Sequence, residues 1–392
     1  MKPGVYDHLS NAEYHGGDGA SNSMLTVIDT SSPRHLQALR EAANDDSREP
    51  TPAYFIGSAF HALVLEPAVF AKEYCLGLRQ QDVPDAIDDR EQLVAMVNGL
   101  NALRLPKLPT SGSKADLVAR IQAAEAEMGV EAPMTADELD ALKAAELKAC
   151  LEGINEHRAG LLSTSGTRHE LADLLRANGR QVTLWSDVKE EWLKNNGHRN
   201  VMTQEQWDQV HAMRDAVMKH PAANALLTGA PGFAELSVYW KDPETGELCR
   251  CRPDFWRMDG IVVDLKSTED ASPAAFARSM SKYHYHVQNS FYMDGINLAL
   301  RQAGVVGGFD DRPKHPTSAK AFVFVACEKR YPYAVGVYAL DPASVELGRA
   351  TYRRNLNTYA ECRRTGIWPA YGERIESISL PEWQLRRAEL AA

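Results

Sequence analysis

The chain has 392 residues, 44% of them hydrophobic, six scattered cysteines and a formal net charge of −10. This length and composition suit two or three domains with cores and exclude a disordered chain. The negative net charge argues against a protein that coats nucleic acid through its overall charge, although it leaves room for a local basic channel. Because no apolar run approaches the roughly 20 residues that span a bilayer and no apolar signal segment opens the chain, we expect a cytoplasmic protein with reduced thiols and no membrane role.

Two helical patterns open the chain, over residues 22–40, with a Ser-Ser-Pro interruption, and over residues 51–70. In the second pattern Gly57 and His61 are four residues apart and therefore share a face, and Pro67 ends the helix. The glycine permits close approach of another backbone. Taken alone, His61 is a core or surface histidine, and it becomes a candidate metal ligand only through the residues described below.

An internal repeat lies within residues 80–200, where the composition changes to Ala, Leu, Glu and Lys in helical patterns. Residues 97–121 align without gaps on residues 151–175. The shared positions include Gly99 and Gly153, Asn101 and Asn155, Arg104 and Arg158, Leu108 and Leu162, and the two Thr-Ser-Gly sequences at 110–112 and 164–166. Each copy predicts a helix, a Thr-Ser-Gly loop and a second helix that the Ser or Thr after the glycine can cap.

This repeat resembles the helix-extended-helix module of SAP and HeH-like domains, most closely over residues 108–120. The resemblance implies DNA contact through a small basic face, formed in the first copy by Lys107, Lys114 and Arg120. The second copy keeps a cation at Arg168 but lacks the counterparts of the first and third. The alternative is that the repeats are two helical hairpins that pack on one another as a spacer.

A meander follows a periodic helix over residues 203–227. The pattern predicts a strand over 233–240, a turn over 242–246 and a returning strand over 248–257. Glu235 falls inside the first strand between apolar neighbours. A carboxylate in an apolar strand is either exposed at a sheet edge or directed into a site, and nearby acidic residues favour the site.

The most informative stretch is residues 251–266, which predict two strands around a central Asp-Gly turn. Alternate residues of a strand point to one face, so Asp264 and Lys266 leave the sheet side by side. Antiparallel pairing about the turn brings Asp254 back to the neighbourhood of Asp264. Two carboxylates and a lysine converging on an apolar strand suit metal-dependent hydrolysis of a phosphodiester, although a surface cross-pair is the alternative.

A helix predicted over 272–300 places Gln288 and Tyr292 one turn apart. The remaining predicted elements are strands over 322–330 and 334–340 and a helix from Asp341 to about Arg364. Five arginines of that last helix form either a solvated basic face, which is the usual case, or a phosphate contact.

In order, Gly57-x-x-x-His61, Glu235, Pro253-Asp254, Asp264-Leu265-Lys266 and Gln288-x-x-x-Tyr292 resemble the PD-(D/E)XK nuclease superfamily in its RecB-like branch, with the greatest similarity to RecE-type exonuclease domains. The resemblance implies an α/β fold with a central mixed β-sheet flanked by helices. We expect residues 1–79 and 201–392 to form one nuclease domain, with residues 80–200 inserted as an all-α repeat region.

The same resemblance implies a site for Mg²⁺, with Mn²⁺ also suitable and two ions in all. Its ligands would be His61, Glu235, Asp254, Asp264 and the carbonyl of Leu265. Lys266 would orient the attacking water and offset charge on the phosphate, so that the catalytic set is Glu235, Asp254, Asp264 and Lys266. Gln288 and Tyr292 would pack behind or beside the site and contact the substrate strand.

We therefore expect a 5′ to 3′ exonuclease that acts on ends of double-stranded DNA and leaves 3′ single strands for a single-strand annealing protein in phage-type recombination. By resemblance it would form a ring-like homo-oligomer. One alternative is a RecB-like nuclease or endonuclease of DNA repair, and another is a non-catalytic DNA-binding accessory of recombination. The absence of a G-x-x-x-x-G-K-[ST] sequence excludes a fused ATP-driven helicase.

Overall fold

A computed structural model describes residues 1–7, 9–42, 51–302, 318–380 and 382. The chain divides into two compact units, one formed by Met1–Leu76 with Met202–Ala392 and the other by Gly77–Val201. Among the described residues no helix has the length and apolar character needed to cross a membrane.

The helices are α1 Asn11–Gly16, α2 Asn22–Thr30, α3 Pro33–Ala42, α4 Pro52–Leu65, α5 Pro67–Glu73, α6 Arg90–Asn101, α7 Lys114–Glu127, α8 Ala136–Ala141, α9 Ala144–Glu156, α10 Arg168–Ala177, α11 Trp185–Asn196, α12 Gln204–Lys219, α13 Pro221–Thr228, α14 Pro273–Lys282, α15 Tyr285–Gln302 and α16 Pro342–Thr365. The strands are β1 Gly4–Tyr6, β2 Tyr74–Leu76, β3 Ala86–Ile87, β4 Thr183–Leu184, β5 Asn200–Met202, β6 Gly232–Ala234, β7 Ser237–Lys241, β8 Leu248–Cys251, β9 Phe255–Arg257, β10 Ile261–Thr268, β11 Ala321–Glu328 and β12 Val335–Tyr338.

The first unit is built on a five-stranded sheet with the order β12-β11-β10-β9-β6. The central pair β10 and β11 is parallel, and the other pairs are antiparallel. A second, three-stranded antiparallel sheet has the order β1-β7-β8. The mixed α/β architecture expected from the sequence is therefore confirmed.

Helices cover both faces of the five-stranded sheet, which explains why its central strands are almost continuously apolar. Val263 and Leu265 of β10 pack in one core cluster with residues of α4 and α12. Val262 of the same strand packs in another cluster with residues of α2, α14, α15 and α16. Because side chains alternate along β10, Asp264 is on the Val262 face, where it is fully buried.

Local signals fix most helix boundaries. Thr203 and Gln206 form the predicted capping box at the start of α12, and Pro221 starts a new helix after α12 ends at Lys219. The Asp341 side chain caps α16. The single helix predicted over 272–300 is wrong, because α14 and α15 are separate helices.

The second unit contains both repeat copies, and each helix packs against a helix of the other copy. In one cluster Leu93 and Val97 of α6 meet Leu171 and Leu175 of α10. The other cluster combines α7 with α9. The two copies therefore pack on one another, and the first helix of each copy pairs with the second helix of the other.

Two asparagines at equivalent repeat positions hold this exchanged arrangement. The Asn101 side chain donates to the Leu162 carbonyl at 3.0 Å and accepts from its N–H at 2.7 Å. Asn155 makes the corresponding pair with Leu108, at 2.9 and 2.7 Å. The predicted caps are also present, since Ser113 caps α7 and the equivalent threonine caps α10.

Candidate metal centre

The centre lies where a long β-hairpin passes from one sheet to the other. Strands β6 and β9 pair in the five-stranded sheet, whereas their continuations β7 and β8 pair in the three-stranded sheet. The continuous strand predicted over 233–240 is thus broken, and Glu235 lies at the break with a left-handed φ of 53°. Asp254 precedes β9 on the opposite arm, so the corner brings these two carboxylates together.

Asp254 is the residue that connects the corner to the central strand. Its backbone carbonyl accepts the Glu235 N–H at 3.1 Å, and its Oδ2 accepts the Leu265 N–H at 2.7 Å. The Nδ1 atom of His61, on α4, lies 3.5 Å from the same Oδ2. An added Cβ at Gly57 would lie 3.4 Å from the Ser267 hydroxyl of β10, so the glycine lets α4 approach the strand that carries the centre.

His61, Glu235 and Asp254 each place one ligand atom so that all three lie within 4.8 Å of one another. One imidazole nitrogen and two carboxylate oxygens form a donor set that fits Mn²⁺ and, through the oxygens, Mg²⁺. His61 also forms a hydrogen bond with the backbone of Leu265. That backbone therefore borders the group, and the role of the Leu265 carbonyl as a further ligand stays a prediction.

Burial sets the protonation of these groups. It raises the pKa of Glu235, which Asp254 raises further, and it raises the pKa of Asp254 against the opposing effect of Lys266. It lowers the pKa of His61 to about 4, so the imidazole is neutral at neutral pH and free to bind a cation. Two half-buried carboxylates that repel each other are stabilised in their ionised form by a divalent cation, so these residues fit such an ion.

Asp264 and Lys266 form the predicted side-by-side pair, with Lys266 Nζ 2.5 Å from Asp264 Oδ1. Gln288 donates to the other oxygen of Asp264 at 2.6 Å. Burial raises the pKa of Asp264 to about 6, although Lys266 lowers it. Asp264 is outside the group of three ligand residues, and its role as a metal ligand stays a prediction.

The two residues of α15 that are predicted to contact the substrate strand lie at different depths. Gln288 is buried and holds Asp264 from behind. The half-buried Tyr292 packs against the core, with its ring 6.2 Å from that of Phe322. Contact of either residue with DNA stays a prediction.

Sequence reasoning missed two charged neighbours of Glu235. Glu66, just after α4, raises the pKa of Glu235, and Arg252 lowers it. The Arg252 guanidinium is buried and donates to Ser237 Oγ at 2.6 Å and to Asn11 Oδ1 at 2.6 Å. The signal for Arg252 was available, because a cation two residues before Asp254 in an apolar strand requires a buried partner.

The cations proposed for DNA contact in the first repeat differ in their surroundings. Arg120 donates to the Pro109 carbonyl at 2.9 Å and the Ser111 carbonyl at 2.6 Å, so it holds its own Thr-Ser-Gly loop. Lys114 donates to the Asp140 carbonyl at 2.5 Å. Lys107 is exposed. DNA contact by these residues stays a prediction, and two of them also have a structural role within the unit.

The arginines of α16 are paired with carboxylates. Their nearest acidic partners are Asp294 and Glu346 for Arg349, Asp242 for Arg353, Asp29 for Arg354, Glu247 for Arg363 and Glu361 for Arg364. These pairs neutralise the helix face, which favours the structural interpretation over a phosphate contact.

Comparisons with known proteins extend these observations. Residues 177–381 match the model of a family described as "PDDEXK-like domain of unknown function (DUF3799)". Among solved structures, a "putative exonuclease" from Eubacterium rectale has a TM-score of 0.33 at 10% identity, over 60% of this chain and 84% of that one. The structure named SSO0001 has a TM-score of 0.20 at 14% identity, over 70% of this chain and 90% of that one. No curated protein matches the chain.

Proposed function

The chain belongs to the PDDEXK-like family DUF3799, and from this premise we propose that it is a divalent-metal-dependent nuclease that hydrolyses phosphodiester bonds of DNA. The observation that carries the proposal is the group of His61, Glu235 and Asp254, whose ligand atoms lie within 4.8 Å of one another. Beside this group is an ion pair between Lys266 and Asp264. Metal-dependent hydrolysis of a phosphodiester requires ligands that hold the cation and a positive group that stabilises charge on the attacked phosphate, and these residues supply both.

Each side chain has a distinct task in this proposal. Neutral His61 and the carboxylates of Glu235 and Asp254 would hold the cation, which when bound supplies Lewis acidity to a phosphate oxygen and lowers the pKa of water. Asp264 fixes Lys266, whose ammonium stabilises negative charge as it develops on the phosphate. Gln288 fixes Asp264 in turn, so the ammonium is aimed before the substrate arrives.

We further propose the finer activity that the resemblance to RecE-type domains supports, namely 5′ to 3′ digestion from ends of double-stranded DNA. The partners would then be DNA ends, a single-strand annealing protein and further copies of the chain in a ring. The metal would be Mg²⁺, with Mn²⁺ also suitable and two ions in all, and Asp264 would be a further ligand.

The test uses linear duplex labelled at either 5′ end, closed circular duplex and single strands, each incubated with Mg²⁺ and with Mn²⁺. We expect label release from linear duplex by the unmodified protein and a loss of at least 100-fold in Lys266→Ala, in line with removal of one electrostatic donor (about 10²–10³). Lys241→Ala, an exposed lysine on β7, is the matched control. Equal activity of the two variants would refute the site.

The same experiment separates the alternatives. Cleavage of closed circular duplex would show that the protein is an endonuclease and would refute the exonuclease assignment. Retention of labelled DNA without cleavage in either metal would favour the non-catalytic accessory of recombination.

A further inference from the structure

The break between α14 and α15 exposes a pair of stacked aromatic rings. Tyr283 is 53% exposed, and its ring stacks on that of Tyr285 with 5.7 Å between centroids and 28° between planes. Tyr285 in turn stacks on Phe324 of β11 at 5.9 Å and 30°. Phe324 is fully buried. The exposed ring is therefore the outer end of a stack that is anchored in the core.

Lys266 connects this stack of rings with the candidate metal centre. The ammonium of Lys266 lies 4.7 Å from the centroid of the Tyr285 ring, a cation–π contact. Lys266 also pairs with Asp264. Lys266, which we assign to the reacting phosphate, therefore contacts Tyr285, and Tyr285 in turn contacts Tyr283.

The backbone between the two tyrosines is held in an unusual conformation. His284 has a φ of 55°, in the left-handed region that L-residues seldom occupy. Its Nδ1 lies 3.2 Å from Asp29 Oδ2 on α2, and its ring stacks on that of His286 at 5.8 Å. These contacts fix the turn, so the two tyrosines are presented as a preformed surface.

We propose that Tyr283 and Tyr285 form a stacking platform for an unpaired nucleobase of the strand that is cleaved, an inference that rests on the proposed nuclease function. Every nucleobase has a flat π-face that an exposed tyrosine can receive. Lys282 is exposed, with its ammonium 5.2 Å from the Tyr283 centroid, and can move off the ring to meet a phosphate. A cation over each of the two rings, Lys266 over Tyr285 and Lys282 over Tyr283, favours a nucleic acid strand over an apolar peptide.

The platform also specifies the state of the substrate. Within a duplex each base is covered by its neighbours above and below, so the ring can stack only on a base at an end or on one that has left the helix. Since the proposed platform receives a base that has left the helix, the strand would reach Lys266 with its terminal bases unpaired.

The experiment pairs a protein variant with a DNA change. Binding of a duplex with a three-nucleotide unpaired end is measured without added metal, and 2-aminopurine at each unpaired position reports stacking by quenching of its fluorescence. Tyr283→Ala should weaken binding about 5- to 150-fold and abolish the quenching, whereas Tyr283→Phe should retain both. Tyr371→Ala, at another exposed tyrosine, is the control.

An abasic nucleotide at the stacked position should weaken binding to the unmodified protein as much as Tyr283→Ala does, and combining the two changes should add little. Additive losses, or equal quenching in all variants, would overturn the platform. If the unmodified protein cleaves DNA while Tyr283→Ala binds normally, the platform fails and the nuclease function stands. If the unmodified protein neither binds nor cleaves DNA, both fail.

Discussion

The left-handed conformation of Glu235 leads to a prediction that separates function from stability. At a φ of 53° an ordinary L-residue is strained by about 1–2 kcal/mol, and glycine is not. We expect Glu235→Gly to be more stable than Glu235→Ala, because both variants lose the carboxylate and only the alanine variant keeps the strain.

The size of the difference follows from two opposing contributions. Relief of strain favours glycine by about 1–2 kcal/mol, and the greater freedom of glycine in the unfolded chain disfavours it by about 0.4–1 kcal/mol. The net advantage of Glu235→Gly in the free energy of unfolding is roughly 1 kcal/mol. The N–H that donates to the Asp254 carbonyl is present in both variants, so that hydrogen bond does not bias the comparison.

Urea unfolding of metal-free protein, followed by tryptophan fluorescence, measures this difference. A parallel titration with Mn²⁺, followed by the shift in the unfolding midpoint, should show that both variants have lost the stabilisation by metal that the unmodified protein gains. An alanine variant as stable as the glycine variant would refute the strain. Undiminished stabilisation by Mn²⁺ in both would refute Glu235 as a ligand.

Three further outcomes are expected. Asn101→Ala and Asn155→Ala should each lower the free energy of unfolding by about 1–3 kcal/mol, by similar amounts because the two residues make equivalent hydrogen-bond pairs; urea titration checks this. Gly295→Ala should cost roughly 1–2 kcal/mol in the same assay, because its Cβ would lie 2.4 Å from the buried Trp240 ring. Burial raises the pKa of Glu235 in the folded state, so the metal-free protein should lose stability as the pH rises above about 4.3, the pKa of a glutamate in the unfolded chain. Glu235→Gln should lose less stability over the same range. Thermal unfolding midpoints at pH 5 and pH 8 measure both effects.

The hairpin at the centre of the fold was predictable because its determinants are local. An Asp-Gly turn sets the pairing of β9 with β10, and strand alternation then places Asp264 beside Lys266, as the 2.5 Å ion pair confirms. His61 became a candidate only when the acidic residues and the lysine later in the chain were read together with its spacing from Gly57. The deduction for the hairpin needs only the geometry of one element and its nearest neighbour.

The corner at Glu235 and the break at His284 were not predictable in this way. Neither position carries Gly or Pro, and the flanking patterns continue through both without interruption. Each left-handed residue is held by distant groups, the Asp254 carbonyl in the first case and Asp29 in the second. Tertiary contacts therefore override local propensity at these two residues.

The exchanged pairing of the repeats bears on how such a unit can arise. The first copy contributes to α6 and α7, and the second copy contributes to α9 and α10. In the intact unit the apolar faces of each pair are covered by helices of the other copy. A shorter ancestral chain with one copy would have covered those faces with a second chain, which makes a symmetric homodimer the natural precursor. Duplication of the repeat within one gene would then place both halves of that dimer in a single chain, so that folding no longer depends on the association of two chains.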